Sequence, residues 1–176
     1  NMPESHKLTN NRVQGILIDR DKNVWVSTAG GVHKLIRPFE GLHNIPLESV
    51  RPYTPTVRAY SRYHDGRILI GAIEERNSGL FWYSNDGTTS HIVPRQMPEG
   101  LITPIAVMSI SEETGGGFWV GTMAQGLLKY DPITNILSRP LLQNRTIESQ
   151  TIYSILIDRE GNTWLGTNGE GVFRIN

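Results

Sequence analysis

The sequence predicts an all-β fold made of four antiparallel β-meander repeats of about 44–50 residues, the blades of a β-propeller. Three recurring features carry that prediction. A short apolar phrase returns as Trp25-Val26-Ser27-Thr28, Leu69-Ile70-Gly71-Ala72, Trp119-Val120-Gly121-Thr122 and Trp164-Leu165-Gly166-Thr167, with starts 44, 50 and 45 residues apart. A glycine and an apolar residue follow each time: Gly31-Val32, Gly79-Leu80, Gly126-Leu127 and Gly171-Val172. A polar turn precedes each phrase, most fully written as Asp158-Arg159-Glu160-Gly161-Asn162.

The fourth repeat shows the strands most plainly. Thr151 to Asp158 is a dense apolar run that reads as a strand buried on both faces. Asp158 to Asn162 is a tight turn in which Gly161 takes positive φ without steric cost. Thr163 to Thr167 is the second strand, and Val172 to Ile175 the third. These connections are hairpin-short, so neighbouring strands run antiparallel. Other repeats add an outer strand: roughly Glu48 to Tyr53 in the first, Thr88 to Val93 in the second, Asn135 to Pro140 in the third. The blades therefore span about 11–53, 56–93, 104–140 and 151–176, with a spare strand at Ser5 to Leu8. Pairing that spare strand beside Ile175, within one chain or between two, removes open edges. The expectation is a closed four-bladed ring or a fragment of a larger propeller. Asn1-Met2 reads as the edge of a trimmed fragment.

Composition limits the function classes. Lys+Arg and Asp+Glu both number 17, so no net charge draws the chain to nucleic acid or an anionic membrane. The chain has no cysteine, which excludes disulfides and thiolate metal sites. No apolar run approaches the length of a membrane helix, so no direct membrane insertion is expected of this segment.

The motif positions read first as structural. Trp25, Trp119 and Trp164 are expected to pack blade against blade, each burying on the order of 200 Å². Gly71, Gly121 and Gly166 are expected to let an adjacent backbone approach, with Ser27 the exception. Lys22 stands where the fourth repeat has Gly161, so it is expected to carry left-handed strain.

The run from Ile155 through Asp158, Gly161, Trp164 and Thr167 to Gly171-Val172 closely resembles the two-component regulator propeller repeat. The resemblance covers residues 11 to 176. It implies propeller blades in the extracytoplasmic sensor region of hybrid two-component histidine kinases, common in gut Bacteroidetes. It also implies a periplasmic location and a larger parent protein, whose later parts are a small β-sandwich, a membrane helix and a kinase core. Repeat two departs from the pattern with Leu69 for tryptophan, and repeat three widens its turn across Gly115-Gly116-Gly117.

Catalytic and metal constellations find no support in the residues. Asp19-Arg20-Asp21-Lys22-Asn23 copies half a calcium loop but has Gly30 where the bidentate glutamate belongs. The five histidines never fall at ligand spacing, and no nucleophile elbow is present. No cofactor, no metal and no catalytic residue is expected. A ligand would meet the loops on one propeller face, where the residues singled out are Arg12, Glu74, Glu75, Arg76, Asn77, Gln125, Asn168 and Glu170. Only the Ile73 to Ser78 loop is expanded, and an idle surface insertion is the simpler reading of it.

The resemblance points to a ligand-sensing segment that answers to oligosaccharides. The alternatives are a non-catalytic propeller for protein interaction or structure, and a propeller lyase or glycosidase. Expected partners are an oligosaccharide, the neighbouring blades or domains of the parent sensor, and a second copy in a homodimer.

Overall fold

The computed structural model describes residues 8, 10–19, 21–35, 42–45, 47, 55–73, 78–142 and 145–175. Among them lie three four-stranded sheets and one three-stranded sheet, each a meander in chain order. The first holds β1 (Val13–Ile18), β2 (Val24–Thr28), β3 (Gly31–Leu35) and β4 (Leu42–Ile45). The second holds β5 (Thr56–Arg62), β6 (Ile68–Ile73), β7 (Gly79–Tyr83) and β8 (Thr89–His91). The third holds β9 (Val107–Glu112), β10 (Phe118–Thr122), β11 (Leu127–Asp131) and β12 (Ile136–Ser138). The last holds β13 (Ile152–Ile157), β14 (Thr163–Thr167) and β15 (Val172–Ile175), preceded by a 3-10 turn at Arg145–Ser149.

Two expectations need correction. The outer strand of the first repeat is Leu42–Ile45, not Glu48 to Tyr53, which lies outside the described residues apart from its neighbours Leu47 and Pro55. Burial of the Thr151 to Asp158 strand on both faces also fails: Leu156 is 63% exposed and Tyr153 is exposed beside it. The reason is cover. No sheet among the described residues lies against that side of the fourth blade. Of the spare strand, Ser5, His6 and Lys7 lie outside the described residues, and Leu8 belongs to no strand.

Side chains alternate along each strand, so every sheet has two faces, and stacking them buries three apolar layers. Trp25, Val32 and Ile45 of the first sheet meet Val57, Ile68, Ile70 and Phe81 of the second. Leu69, Leu80 and Trp82, on the second sheet's other face, meet Val107, Phe118, Val120 and Leu128 of the third. Leu127 then meets Ile152 and Leu165 of the fourth, with Ile147 from the 3-10 turn closing the layer. In the first three sheets the face carrying Trp25, Leu69 or Trp119 looks toward the next sheet.

One device recurs in all four sheets. The first strand slips register between Val13 and Gly15, between Val57 and Ala59, opposite Gly121 and Thr122 in the third, and between Ile152 and Ser154. Such a β-bulge re-aims the residue beside it. In the third and fourth sheets that residue, Val107 or Ile152, sits over a glycine of the preceding sheet. A Cβ on Gly71 would lie 2.9 Å from Val107 Cβ. A Cβ on Gly121 would lie 2.8 Å from both Cβ and the carbonyl oxygen of Ile152. Knob and hollow fix how one blade seats on the next.

Candidate functional site

Each blade has a turn end and a loop end, and the sequence builds them differently. At the turn end Asp158 accepts backbone N–H groups of Glu160 at 3.0 Å and Asn162 at 2.9 Å, and the Trp164 indole N–H at 2.8 Å. Asp19 repeats the pattern with Asp21, Asn23 and the Trp25 indole, each at 2.9 Å. The hydrogen bonds from Trp164 and then Asn162 hold the Asp158 carboxyl at about 2, well below its ordinary value. At Asp19 burial works in the opposite direction, but the donors outweigh it and its pKa is also lowered. A carboxylate whose oxygens are occupied in this way is a clamp, not a general base.

A cation lies over a tryptophan in every blade. Lys34, Lys129 and Arg174 pair across the strands with Trp25, Trp119 and Trp164, at 5.0, 5.2 and 5.9 Å from the ring centroids. The second blade has Leu69 in the tryptophan slot, and its ring moves to the cross-strand partner Trp82. Arg67, held by Asp65 at 2.7 Å, covers that ring at 4.2 Å. Between the first two turn ends lies a cavity of about 130 Å³, lined by Asp19, Asp21, Lys34, Arg62, Tyr83 and Asn85 among others. Its charges are partly matched, since Arg62 reaches Asp21 at 3.2 Å.

The loop end is sewn by backbone. Ala29, Met123 and Asn168 each donate an N–H to the residue leading into the same blade's first strand: Arg12 at 3.1 Å, Ala106 at 2.9 Å and Thr151 at 3.1 Å. The threonine of the motif closes the loop, because the Thr122 and Thr167 hydroxyls donate to the Gly126 and Gly171 carbonyls at 2.7 and 2.8 Å. Gly126, at φ 74°, has no room for a side chain, since a Cβ would lie 2.8 Å from Glu148 backbone atoms of the following blade's lead-in.

Of the residues singled out from sequence, Arg12, Asn168 and Glu170 stand exposed at this end. Gln125 is engaged: its amide donates to the Ile102 carbonyl at 3.0 Å and accepts the Ile102 N–H at 2.7 Å. Its own carbonyl takes Arg139 at 2.9 Å. Glu74, Glu75, Arg76 and Asn77 lie outside the described residues. Sequence reasoning missed Arg139 and the cation partners, although Lys34, Lys129 and Arg174 stand nine or ten residues after Trp25, Trp119 and Trp164.

Residues 7–30 and 146–169, in the first and last blades, each match the two component regulator propeller family. No curated protein sequence matches the chain. The fold is similar to the extracellular domains of two hybrid two component systems from B. thetaiotaomicron. One has TM-score 0.76 and 22% identity, the other 0.73 and 24%; each comparison covers 97% of this chain and 22% of the other. It is also similar to a virginiamycin B lyase from Staphylococcus aureus, at TM-score 0.64 and 14% identity, over 96% of this chain and 57% of the lyase. The chain thus spans under a quarter of the length of the two sensor domains.

Proposed function

We infer, from two component regulator propeller matches in the first and last blades of the array, that the chain serves as a ligand-sensing segment of a hybrid two-component system sensor. The observation that carries this is the family match in the first and fourth blades, on a fold shared with extracellular sensor domains. In this reading the segment stands in the periplasm, outside the inner membrane that anchors the parent protein. Among the described residues no helix is long and apolar enough to cross a membrane.

The ligand class is an oligosaccharide, and its place is the loop end. Arg12, Asn168 and Glu170 offer exposed hydrogen-bonding groups there on a backbone fixed by the stitches described above. In this reading the chain binds its ligand without turning it over, and the signal leaves as altered packing against neighbouring domains.

Calorimetric titration with a panel of plant and host oligosaccharides tests it. One glycan class is expected to bind, and Arg12→Ala or Glu170→Ala is expected to weaken that binding about tenfold, or about 1.4 kcal/mol. Binding of no glycan would overturn the sugar reading, and chemical breakdown of a bound glycan would overturn the non-catalytic one.

A further inference from the structure

One position of the first strand follows no packing rule, although its neighbours do. The residue before each bulge is β-branched and apolar (Val13, Val57, Val107 and Ile152), and the residue after it is small (Gly15, Ala59, Ser109 and Ser154). Each has a task between blades. Val57 lies in the layer against the first blade, and Ala59 in the layer against the third. Between such neighbours the bulge holds Gln14, Arg58, Met108 or Tyr153: an amide, a cation, a thioether and a phenol. Blade stacking asks nothing in common of these four side chains. Met108 is buried yet belongs to none of the three apolar layers, so the position meets a different setting.

That setting is the shared edge of the sheets, just inside the loop end. The first strand of each sheet is an edge strand, and these strands run side by side, β5 next to β1 and β9, and β9 next to β13. In the first, third and fourth blades the bulge residue stands two positions after the carbonyl that takes the loop stitch, at Arg12, Ala106 and Thr151. Bulges recur beside binding sites because they re-aim a side chain out of the ladder.

Arg58 gives the setting its chemistry. It belongs to the second blade, which packs against the first on one side and the third on the other, so its surroundings are built by this chain's own sheets. It is half-buried, and its Nε is buried without an acceptor. Among the described residues it has no ion pair, whereas Arg62 and Arg67 of the same blade are held by Asp21 and Asp65. A buried donor left unanswered costs free energy until an outside group answers it. The guanidinium fork suits an oxyanion, which it grips with paired, charge-assisted N–H donors.

We propose that Arg58 is a specificity-determining residue of the loop-end site and selects an oligosaccharide that carries an oxyanion group, a carboxylate or a sulfate. This rests on the oligosaccharide reading above and narrows it to acidic sugars.

Calorimetric titration of the full 176-residue chain tests it with two matched pairs of probes. One pair is a galacturonic acid trisaccharide and its neutral methyl ester. The other is a carrageenan tetrasaccharide, whose only charges are sulfates, and its desulfated form. An acidic probe is expected to bind at least about tenfold more tightly than its neutral partner, and the pair that shows this separates carboxylate from sulfate. Arg58→Gln is expected to abolish the preference and Arg58→Lys to keep part of it. Neither is expected to lower the melting temperature, since the guanidinium has no ion pair to lose. Equal binding of acidic and neutral forms, or a preference that survives Arg58→Gln, would overturn this proposal and leave the oligosaccharide reading standing. Binding of none of the probes would also overturn it, and the wider glycan panel then decides whether the oligosaccharide reading falls too. A melting temperature lowered in both variants would make Arg58 a structural residue and overturn its role in selection.

Discussion

The seam between the third and fourth blades and the outward side of the fourth carry the same residues in the same register. Gly121, Ser109 and Trp119 on the covered surface answer to Gly166, Ser154 and Trp164 on the open one. The difference lies in what is pressed against them. A repeat motif therefore specifies a surface made to be covered, while the energy it contributes depends on whether the cover is present.

The largest expected effect sharpens this contrast directly. Trp25 is buried among Val32, Ile68 and Phe81, so Trp25→Ala should destabilise the chain by about 3–5 kcal/mol in urea unfolding. Trp164→Ala removes a ring that is partly in solvent and should cost under about 1.5 kcal/mol at concentrations where the chain is monomeric. Equal losses would break the comparison.

A second pair uses the glycines. Gly121→Ala forces a Cβ against Ile152 of the next blade and against Ser109, and should destabilise by about 1–3 kcal/mol. Gly166→Ala meets only the Ser154 hydroxyl, which can rotate away, and should cost no more than about 0.5 kcal/mol. Thermal melts of both variants at low concentration measure the difference.

What could be read from the sequence follows the same division. The repeat places β2, β6, β10 and β14 because tryptophan or leucine, glycine and threonine recur at fixed spacing. The bulges could not be read, because the residues they leave unpaired, such as Gln14, Met108 and Tyr153, share no chemical type. A bulge exists only relative to a partner strand. The outer strand at Leu42–Ile45 was misplaced because a four-residue edge strand carries too little alternation to fix its position. At the candidate site, exposure of Arg12, Asn168 and Glu170 followed from their loop positions. The engagement of Gln125 with Ile102 did not, since those residues are 23 apart in sequence. Burial of the fourth blade was overestimated because apolar content reports a face meant for contact, not the presence of its partner.

A smaller effect separates the two Asp turns. Lys22 takes φ 63° where its counterpart Gly161 takes 86°, so the first turn holds a side chain in the left-handed region. Lys22→Gly should stabilise the chain by up to about 1 kcal/mol, because the side chain is exposed and glycine relieves the strain. Loss of stability in denaturant unfolding would show that Lys22 makes a contribution the turn geometry does not explain.

The smallest effect is electrostatic and concerns Asp158, the clamp beneath the exposed tryptophan. Its carboxylate is held at about 2 in the folded chain by the Trp164 indole and Asn162, below the 3.8 of an ordinary aspartate. A depressed folded pKa means that the unfolded chain takes up the proton first, so acid favours unfolding. The contribution of Asp158 is complete above about pH 4 and is lost as pH falls through its folded value near 2. Asp158→Asn has no such titration. The stability gap between the wild type and this variant should therefore narrow as unfolding is measured from pH 5 down to pH 2. Asp19→Asn should show the same sign of change, since its carboxyl is also depressed, but with a larger loss at pH 5 because the clamped Trp25 is buried. A gap for Asp158→Asn that stays constant across this range would mean that the Trp164 clamp acts through the shape of the turn and not through its charge.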